Sequence, residues 1–388
     1  MTYAVGLTLT DVHKNRDGVK AELAVALSGA EVHWGQLNLV STPAREQLVK
    51  KLAEIDSTVP WRSMLERACR RTVEAIRQGE PFMTLTGESV APAREVMPRL
   101  LFAGEPTVLI GDGDTGKSLF ALALGIAVRS GACLPFGLRP PRVLPVAYLD
   151  WETSRDTLET RLALLAAGLG IDPPPIVYRR MTRPLVEEAT RVAAELARRQ
   201  IGFVVIDSKM FAVASGDGVA FHEPITAFYN AVRLFAPAAT LVLNHVTNED
   251  ARTGRAARPF GGAFAFNGPR LIWEAKRDRD VADATAIVFT NIKANNLPRK
   301  PEPFGLRFVP GDHTITVYPM DLAEAPPQAT AGASLTYQVR LAIARGVRTA
   351  EAIAKDLDAK RDTVERLLRR LRKDGKARET EAGWELVT

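Results

Sequence analysis

The sequence predicts an α/β protein in which helices cover a mostly parallel sheet, with a smaller unit on either side. Between about residues 98 and 320, short apolar runs alternate with stretches of helical length, the pattern of a parallel sheet with crossover helices. Residues 1–80 instead carry three alternating runs followed by two helical segments. After a Pro/Ala-rich stretch, three helical segments and a short hairpin pattern close the chain. We therefore expect a small α+β domain over 1–80, a core over 81–321, a linker over 322–334 and a last domain over 335–388.

The first domain is predicted from alternation and capping. Its strands are YAVGLTLT, KAELAVALS and EVHWGQLNLVS, since apolar and polar residues alternate in each. Thr42 as cap and Pro43 as first helical residue would begin TPAREQLVKKLAEI. The helix WRSMLERACRRTVEAIRQGE would bury Leu65, Cys69, Val73 and Ile76 on one face. No catalytic motif occurs here, so a role in packing and a role in assembly both stay open.

Nine strands are predicted in the core: TVLI, VLPVAYLD, IVYRR, IGFVVID, TLVLNH, RLIWEA, TAIVFTNIK, FGLRFV and TITVYP. The last few are separated by short turns with little room for a helix. Parallel strands need a crossover of a dozen or more residues, so we expect the far edge of the sheet to be antiparallel.

Composition excludes several classes of protein. With 46% hydrophobic and 25% charged residues among 388, the chain is typical of soluble globular proteins. Neither an apolar run of the ~18 residues needed to span a bilayer nor a signal-peptide pattern occurs, so we expect a cytoplasmic protein with no membrane partner. The two cysteines, Cys69 and Cys133, lie too far apart to suggest a disulfide framework or a metal site.

The motif GDGDTGKS, residues 111–118, predicts a phosphate-binding loop. It follows the apolar run TVLI and precedes the apolar helix LFALALGIAVRSG, the strand–loop–helix context in which this motif binds nucleotide. Its glycines let backbone N–H groups turn towards phosphate oxygens. Lys117 would reach the β- and γ-phosphates and the Ser118 hydroxyl would hold Mg²⁺. The expected nucleotide contacts are Gly111, Asp112, Gly113, Asp114, Thr115, Gly116, Lys117, Ser118 and Leu119.

Two acidic residues in this loop need an explanation. The backbone provides the phosphate contacts, so the side chains of Asp112 and Asp114 can point outward. We expect them to be tolerated and to be paired with basic groups from elsewhere in the chain.

Three later segments offer the other groups that ATP hydrolysis needs. Asp207 ends the apolar run FVVID and is the candidate second ligand of Mg²⁺. Glu152, in YLDWETS, either activates water or, together with Asp150, caps the helix that begins near Arg155. His245, in LVLNHVTNE, would sense the γ-phosphate, or it is an ordinary polar residue at the end of a strand.

Two loops are candidates for contact with single-stranded DNA. The first contains Arg252, Arg255 and Arg258, and the second contains Lys209. Basic, glycine-containing loops can follow a nucleic-acid backbone electrostatically. Ordinary solvated loops are the alternative.

The C-terminal segments have the order of a winged helix-turn-helix domain. Residues 334–388 contain 13 Lys and Arg against 9 Asp and Glu. In KRDTVERLLRRLRKDG, Val364, Leu367, Leu368 and Leu371 would face the core. Such a helix can enter a major groove with the hairpin on the backbone; a protein-binding winged helix is the alternative. The residues expected to point outward, towards duplex DNA, are Lys360, Arg361, Arg366, Arg369 and Arg372.

Together, GDGDTGKS, YLDWETS, FVVIDS, LVLNHVTNE and GGAFAFNGPRLIWEAKRD resemble the RepA-like branch of RecA-type ATPases, over about residues 85–320. This branch includes plasmid- and phage-encoded hexameric replicative helicases. The resemblance implies a RecA-like core, ATP and Mg²⁺ as cofactors, a homo-oligomeric ring with ATP between subunits, and single-stranded DNA in its channel. By the same resemblance Lys117, Ser118, Asp207, Glu152 and His245 would take the roles given above.

One position departs from that family. Ring helicases place a basic pair, often Lys-x-Arg, on a late strand to reach the neighbouring subunit's γ-phosphate, whereas TNIKANN provides Lys293 and then Asn295. Either Lys293 acts alone, or an arginine such as Arg270 replaces the missing one, or trans activation is weak. We therefore expect a replicative helicase of a mobile element. A recombination or repair ATPase and a nucleotide-gated DNA-binding initiator, loader or regulator are the alternatives.

Overall fold

The computed structural model describes residues 4–15, 17–78, 82–84, 86, 94–213, 222–246, 262–295, 297–330 and 332–387. The chain divides into two compact units, residues 1–90 and 91–388. Within the described ranges, no helix is long and apolar enough to cross a membrane.

The first unit is an antiparallel three-stranded sheet followed by two helices. Its elements are β1 (Val5–Asn15), β2 (Gly18–Leu27), β3 (Ala30–Asn38), α1 (Thr42–Ile55) and α2 (Trp61–Gln78), with strand order β1-β2-β3. One face of β2 packs against both helices, because its alternate residues Ala21, Leu23 and Val25 are fully buried.

Two details of this unit differ from expectation. Ser41, not Thr42, caps α1, since its hydroxyl accepts a hydrogen bond from Ala44 N at 3.4 Å. Leu65, Cys69 and Val73 are buried as predicted, but Ile76 is 38% exposed. It lies in the last turn of α2, and the buried face of this helix is completed by Trp61 instead.

The second unit contains a nine-stranded sheet, and its strands correspond to the nine predicted segments. After the short strands β4 (Glu95–Met97) and β5 (Leu101–Phe102), its elements are β6 (Pro106–Gly111), α3 (Lys117–Ser130), β7 (Val146–Asp150), α4 (Arg155–Gly168), β8 (Val177–Arg180), α5 (Leu185–Arg198), β9 (Phe203–Asp207), α6 (Lys209–Ala212), α7 (His222–Arg233), β10 (Ala239–His245), α8 (Gly262–Asn267), β11 (Leu271–Asp278), β12 (Thr285–Ala294), β13 (Phe304–Pro310) and β14 (Ile315–Met320).

The strand order is β14-β13-β12-β11-β6-β10-β9-β7-β8. From β11 to β8 neighbouring strands are parallel, while β12, β13 and β14 add an antiparallel edge. The expectation of a mostly parallel sheet with an antiparallel far edge is confirmed. The sheet and its phosphate loop make this unit an α/β domain of the P-loop type, consistent with a RecA-like core.

Helix α3 is enclosed on all sides. The sheet covers it on one side, and the antiparallel edge adds Phe289, whose ring centroid lies 4.2 Å from that of Phe120. The end of α4 meets the start of β14 so closely that a Cβ on Gly168 would lie 2.1 Å from Ile315 O. The sheet therefore curls around α3, while α5 and α7 cover its other face.

The predicted linker, 322–334, packs against the sheet rather than remaining open. It contains a 3-10 turn (Pro327–Thr330). Leu322, Ala325 and Ala329 are buried together with Ala286 and Val288 of β12.

Three helices and a hairpin follow, in the predicted order: α9 (Leu335–Ala344), α10 (Ala350–Asp356), α11 (Arg361–Lys373), β15 (Ala377–Thr380) and β16 (Gly383–Leu386). Val364, Leu368 and Leu371 of α11 are buried in the small core of this segment, and Leu367 is partly buried. Arg345 fixes the segment to the polypeptide before it, by donating hydrogen bonds to the carbonyls of Leu322, Ala323 and Ala325 at 3.3, 3.2 and 2.6 Å.

Candidate functional site

The phosphate loop joins the end of β6 to the start of α3, and its two motif glycines lack room for a side chain. A Cβ on Gly111 would lie 2.6 Å from Ala275 O. Gly116 has φ 91°, and a Cβ there would lie 2.8 Å from Ile287 Cδ1. This left-handed conformation at the helix N-terminus suits glycine. It turns the backbone so that α3 begins directly at Lys117.

Lys117 spans the loop from inside. Its side chain is buried, and its Nζ donates hydrogen bonds to Gly111 O at 2.9 Å and Asp112 O at 2.5 Å. Burial lowers the pKa of Lys117 from its ordinary value, while the carboxylates of Asp207 and Glu152 act to raise it. The ammonium group of Lys117 therefore lies within the loop that would surround the phosphates of a bound nucleotide.

The two residues predicted to hold Mg²⁺ lie together. Asp207, at the end of β9, accepts a hydrogen bond from Tyr148 Oη at 2.6 Å, and Ser118 lines the same cleft. Burial raises the pKa of the Asp207 carboxyl, and the hydroxyl groups of Tyr148 and Ser118 oppose that effect. Tyr148 is itself buried, and this burial raises its pKa well above the ordinary value, so its hydroxyl remains a donor.

The Glu152 side chain does not cap helix α4. Ser154 caps α4 through Thr157 N, and Asp150 Oδ1 accepts hydrogen bonds from the backbone N–H groups of Glu152 and Thr153, at 2.9 and 2.8 Å. Of the two acidic residues that could have capped this helix, Asp150 alone accepts hydrogen bonds from the turn before it. The Glu152 carboxylate is left to interact with other strands.

Glu152 meets Ser208 and His245 because their strands are neighbours. They follow or end β7, β9 and β10, which are adjacent and parallel, so their carboxyl ends lie at one edge of the sheet. Ser208 donates a hydrogen bond to Glu152 Oε1, and His245 Nε2 lies 3.6 Å from the same oxygen. The contact with His245 is the largest cause that lowers the pKa of Glu152; burial opposes it, and the hydrogen bond from Ser208 adds to it.

These groups line one cleft of about 290 Å³. The residues that line it are Asp114, Thr115, Gly116, Lys117, Ser118, Leu119, Glu152, Arg161, Asp207, Ser208, His245, Arg277, Thr285 and Ile315. Sequence reasoning missed Ser208, Arg161 and Arg277, as well as Tyr148 behind the cleft. Ser208 directly follows an apolar strand and could have been noticed; no local signal marks the two arginines.

The expectation that the loop acids are paired holds for Asp114. Arg277, at the end of β11, places Nη1 2.7 Å from Asp114 Oδ2 and 3.0 Å from Asp114 O. The carbonyl of Asp112 accepts from Lys117 and, at 2.7 Å, from the hydroxyl of Thr115. Gly113 has open space around its Cα.

Lys293 lies at the opposite edge of the sheet from the phosphate loop. It pairs with Ile272 near the start of β11, and its Nζ donates to Phe266 O at 2.9 Å and Asn267 O at 3.3 Å. Burial, and then the charge of Arg270, lower the pKa of Lys293. Neither cation lines the cleft of its own chain, so Lys293 could contact a nucleotide only from a second subunit.

Four basic residues are predicted to contact single-stranded DNA, and the structure describes one of them, Lys209. Lys209 is only 2% exposed, with its Nζ 5.4 Å from the centroid of the Tyr229 ring. This corrects the expectation of a surface DNA contact: the short helix α6 turns Lys209 inward. Burial lowers its pKa to about 8. Arg252, Arg255 and Arg258 lie outside the described residues.

The basic side chains of α11 point outward as expected. Lys360, Arg361, Arg366, Arg369 and Arg372 are all exposed. Several are in ion pairs: Arg361 and Arg369 with Glu365, at 2.9 and 3.6 Å, and Arg372 with Glu379 at 3.3 Å.

Comparison with protein families agrees with this site. Residues 77–251 match the family profile described as an AAA domain. This part of the chain is therefore similar to an AAA domain. The matched segment contains the phosphate loop, Glu152, Asp207 and His245. No curated protein matches the chain.

The residues present fit ATP and Mg²⁺. Lys117 and the start of α3 offer a cation and backbone donors to phosphates, and Ser118 and Asp207, which line the same cleft, offer two oxygen ligands. Among the described residues there is no cluster of three or more His, Cys, Asp or Glu suited to a metal ion. A hydroxyl and one carboxylate are what Mg²⁺ needs from the protein when phosphates and water complete its shell.

Proposed function

We propose that this protein is an oligomeric ATPase that moves on DNA, most closely comparable to a RepA-like replicative helicase of a plasmid, phage or other mobile element. The observation that supports it most is the convergence of Lys117, Ser118–Asp207 and Glu152–Ser208–His245 on one cleft at the carboxyl ends of neighbouring strands. Binding and hydrolysis of a nucleoside triphosphate require a lysine, Mg²⁺ ligands and a residue that activates water at the same site.

The chemistry assigned to these residues is an in-line displacement. Mg²⁺, when bound by Ser118 and Asp207, would neutralise phosphate charge. Glu152 would orient a water and accept its proton as the water oxygen bonds to the γ-phosphorus and the bond to the bridging oxygen breaks, leaving ADP and phosphate. Because its pKa is lowered, Glu152 is ionised at neutral pH and ready to accept that proton. His245, 3.6 Å from Glu152 and adjacent to Gly111 in the sheet, would report the occupancy of the site.

Assembly into a ring would bring a second subunit's cations to this cleft. Lys293 and Arg270 lie together at the opposite sheet edge, where Asn295 N donates to Arg270 O at 2.9 Å. A head-to-tail contact would place this pair near the neighbour's γ-phosphate, with Arg270 in the role of the missing arginine. The homo-oligomer, its hexameric form and this trans contact are all part of the proposal.

Duplex DNA would bind the C-terminal segment in the manner of a winged helix. Arg366 of α11 and Lys360 at its N-cap are exposed. Each phosphate that they neutralise adds about 0.9 to the slope of log affinity against log salt concentration. The acidic partners of Arg361, Arg369 and Arg372 favour a second candidate: a nucleotide-gated DNA-binding regulator or loader, in which duplex contact is weaker. A recombination or repair ATPase would share the same cleft.

ATP hydrolysis with and without single-stranded DNA tests the proposal. The variants are Lys117→Ala, Glu152→Gln and the matched control Glu159→Gln, at an exposed residue of α4. We expect DNA to stimulate turnover, Lys117→Ala to abolish it, Glu152→Gln to bind ATP while losing at least about 100-fold in turnover, and Glu159→Gln to behave as wild type. Turnover that DNA does not change would exclude the motor and favour the regulator. Glu152→Gln with wild-type turnover would remove Glu152 as the base.

A further inference from the structure

Arg277 and Asp114 connect two parts of the chain that the phosphate-loop motif does not relate. Asp114 lies in the middle of the phosphate loop, with φ 58° and a side chain that is 85% exposed. Arg277 is at the end of β11, beside β6, and its side chain is 28% exposed. One nitrogen, Nη1, donates to both the carboxylate and the carbonyl of Asp114. The arginine therefore fixes the side chain and the backbone of the same loop residue.

The fold gains little from this contact. Exposed ion pairs contribute about 0–1 kcal/mol to stability, because both groups remain hydrated and lose side-chain entropy. The position of the pair matters more, since Asp114 and Arg277 both line the cleft that contains Lys117 and Ser118.

A carboxylate at this place opposes the proposed ligand. Asp114 carries negative charge on the loop that would surround a polyanion, and like charges at such short range repel each other. A guanidinium in contact with that carboxylate cancels the repulsion. Its remaining N–H donors are still available.

We propose that Arg277 is a positioning residue of the nucleotide site, which adapts an acidic phosphate loop to a triphosphate by neutralising Asp114 and holding its left-handed turn. This inference rests on the proposed function, because it requires that the cleft bind ATP. It assigns the role to a residue of the same subunit, 28% exposed and distant in sequence from the motif.

The test is a double-mutant cycle with Mg-ATP as the probe, measured by calorimetric titration. We expect Arg277→Ala to weaken ATP binding at least about tenfold, which corresponds to ~1.4 kcal/mol. Asp114→Asn supplies the reference background of the cycle, since Asn also accepts a left-handed conformation. In that background the loss caused by Arg277→Ala should be at least about threefold smaller than in the wild-type background, because the charge that Arg277 neutralises is gone and only its hydrogen bond to the carbonyl of residue 114 remains.

Two further readouts separate this role from a structural one. The loss of affinity caused by Arg277→Ala should be larger for ATP than for ADP, because the repulsion grows with the charge of the phosphates. The variant should also raise KM for ATP while kcat stays within about threefold. Arg279→Ala, an exposed arginine two residues further on, is the matched control and should bind as wild type. Thermal unfolding without nucleotide should give the same midpoint for all variants, and Arg277→Gln replaces Arg277→Ala if the latter unfolds.

The outcomes are distinct. An equal loss in both backgrounds would mean that Arg277 contacts the nucleotide directly and would overturn the proposal, as would wild-type affinity in Arg277→Ala. If wild type binds ATP and Lys117→Ala abolishes binding, the proposed nucleotide site stands whatever Arg277 does. If wild type binds no ATP, both proposals fall.

Discussion

Glu152 Oε1 lies 3.6 Å from His245 Nε2, although Glu152 follows β7, His245 ends β10, and β9 lies between these two strands. Ser208, which follows β9, donates to the same carboxylate oxygen. The three side chains thus form one cluster across the edge of the sheet. The protonation of Glu152 consequently depends on groups contributed by two other strands.

This dependence predicts a shift in the pH profile of ATP hydrolysis. The pKa of Glu152 is lowered, with His245 as the largest cause, so wild-type turnover should not fall through protonation of Glu152 until the pH drops below 4.5, its ordinary value. His245→Ala removes that cause and raises the pKa of Glu152, because burial is then opposed only by the hydrogen bond from Ser208 and the charge of Lys117. Its turnover should therefore decline at a higher pH than that of wild type.

The measurement is kcat at saturating ATP between about pH 4 and 8, with unfolding monitored by circular dichroism. His13→Ala, at an exposed histidine in β1 of the first unit, should keep the wild-type profile. An unchanged profile in His245→Ala would show that His245 does not control the charge of Glu152.

Tyr148→Phe should weaken the Mg²⁺ site. The change removes a 2.6 Å hydrogen bond to the buried carboxylate of Asp207. Loss of one hydrogen bond to a buried charged group costs about 1.5–3 kcal/mol. We expect a lower free energy of unfolding and a several-fold higher Mg²⁺ concentration for half-maximal ATP hydrolysis.

Tyr178→Phe provides the comparison, because its hydroxyl lies 3.1 Å from Asp150, outside the predicted metal pair. Its Mg²⁺ requirement should match that of wild type. If both tyrosine variants shift that requirement equally, the effect does not arise at Asp207.

Lys209 predicts an alkaline rise in stability. Burial lowers its pKa from 10.5 to about 8 in the folded protein, whereas the unfolded chain retains the ordinary value. Between these two values the unfolded state binds more protons, so the free energy of unfolding should increase as pH rises from about 8 to 10.5. Lys209→Met should lack this increase.

Urea unfolding of wild type and Lys209→Met at pH 7, 8, 9 and 10 measures the difference, so that other titrating groups cancel. A difference that does not change with pH would mean that Lys209 titrates normally. Lys293→Met is less suited as a target, because Lys293 is less buried and its nearby cation Arg270 also contributes to the shift.

Arg345→Ala should loosen the C-terminal segment from the sheet. Arg345 donates hydrogen bonds to the backbone carbonyls of Leu322, Ala323 and Ala325, and the variant removes all three. Because each hydrogen bond to a charged group contributes about 1.5–3 kcal/mol, local unfolding of residues 322–334 should become more frequent. Limited proteolysis should then cut within residues 322–334 faster than in wild type.

Arg340→Ala removes a single, more exposed ion pair with Glu302 and should change that cleavage rate much less. Equal cleavage in wild type and Arg345→Ala would indicate that apolar packing of Leu322, Ala325 and Ala329 holds this region by itself.

The sequence by itself determined the local structure and the list of chemical groups. Alternation and apolar runs located all nine strands of the sheet, since these patterns reflect burial of one or both faces of a strand. The spacing of Gly111, Gly116, Lys117 and Ser118 identified the loop, because each position is fixed by a backbone turn or a phosphate contact. The antiparallel edge also followed from the short turns between the late strands.

Only the tertiary structure decided which of these groups act together. Local pattern left Glu152 with two interpretations, and the choice came from Asp150 and Ser154 taking the capping contacts while Ser208 and His245 arrived from neighbouring strands. Lys209 is basic and follows a strand end, yet α6 turns it into the interior. Arg277 reaches Asp114 because β11 lies beside β6 in the sheet. Strand order depends on packing between segments far apart in sequence, and no local pattern encodes it.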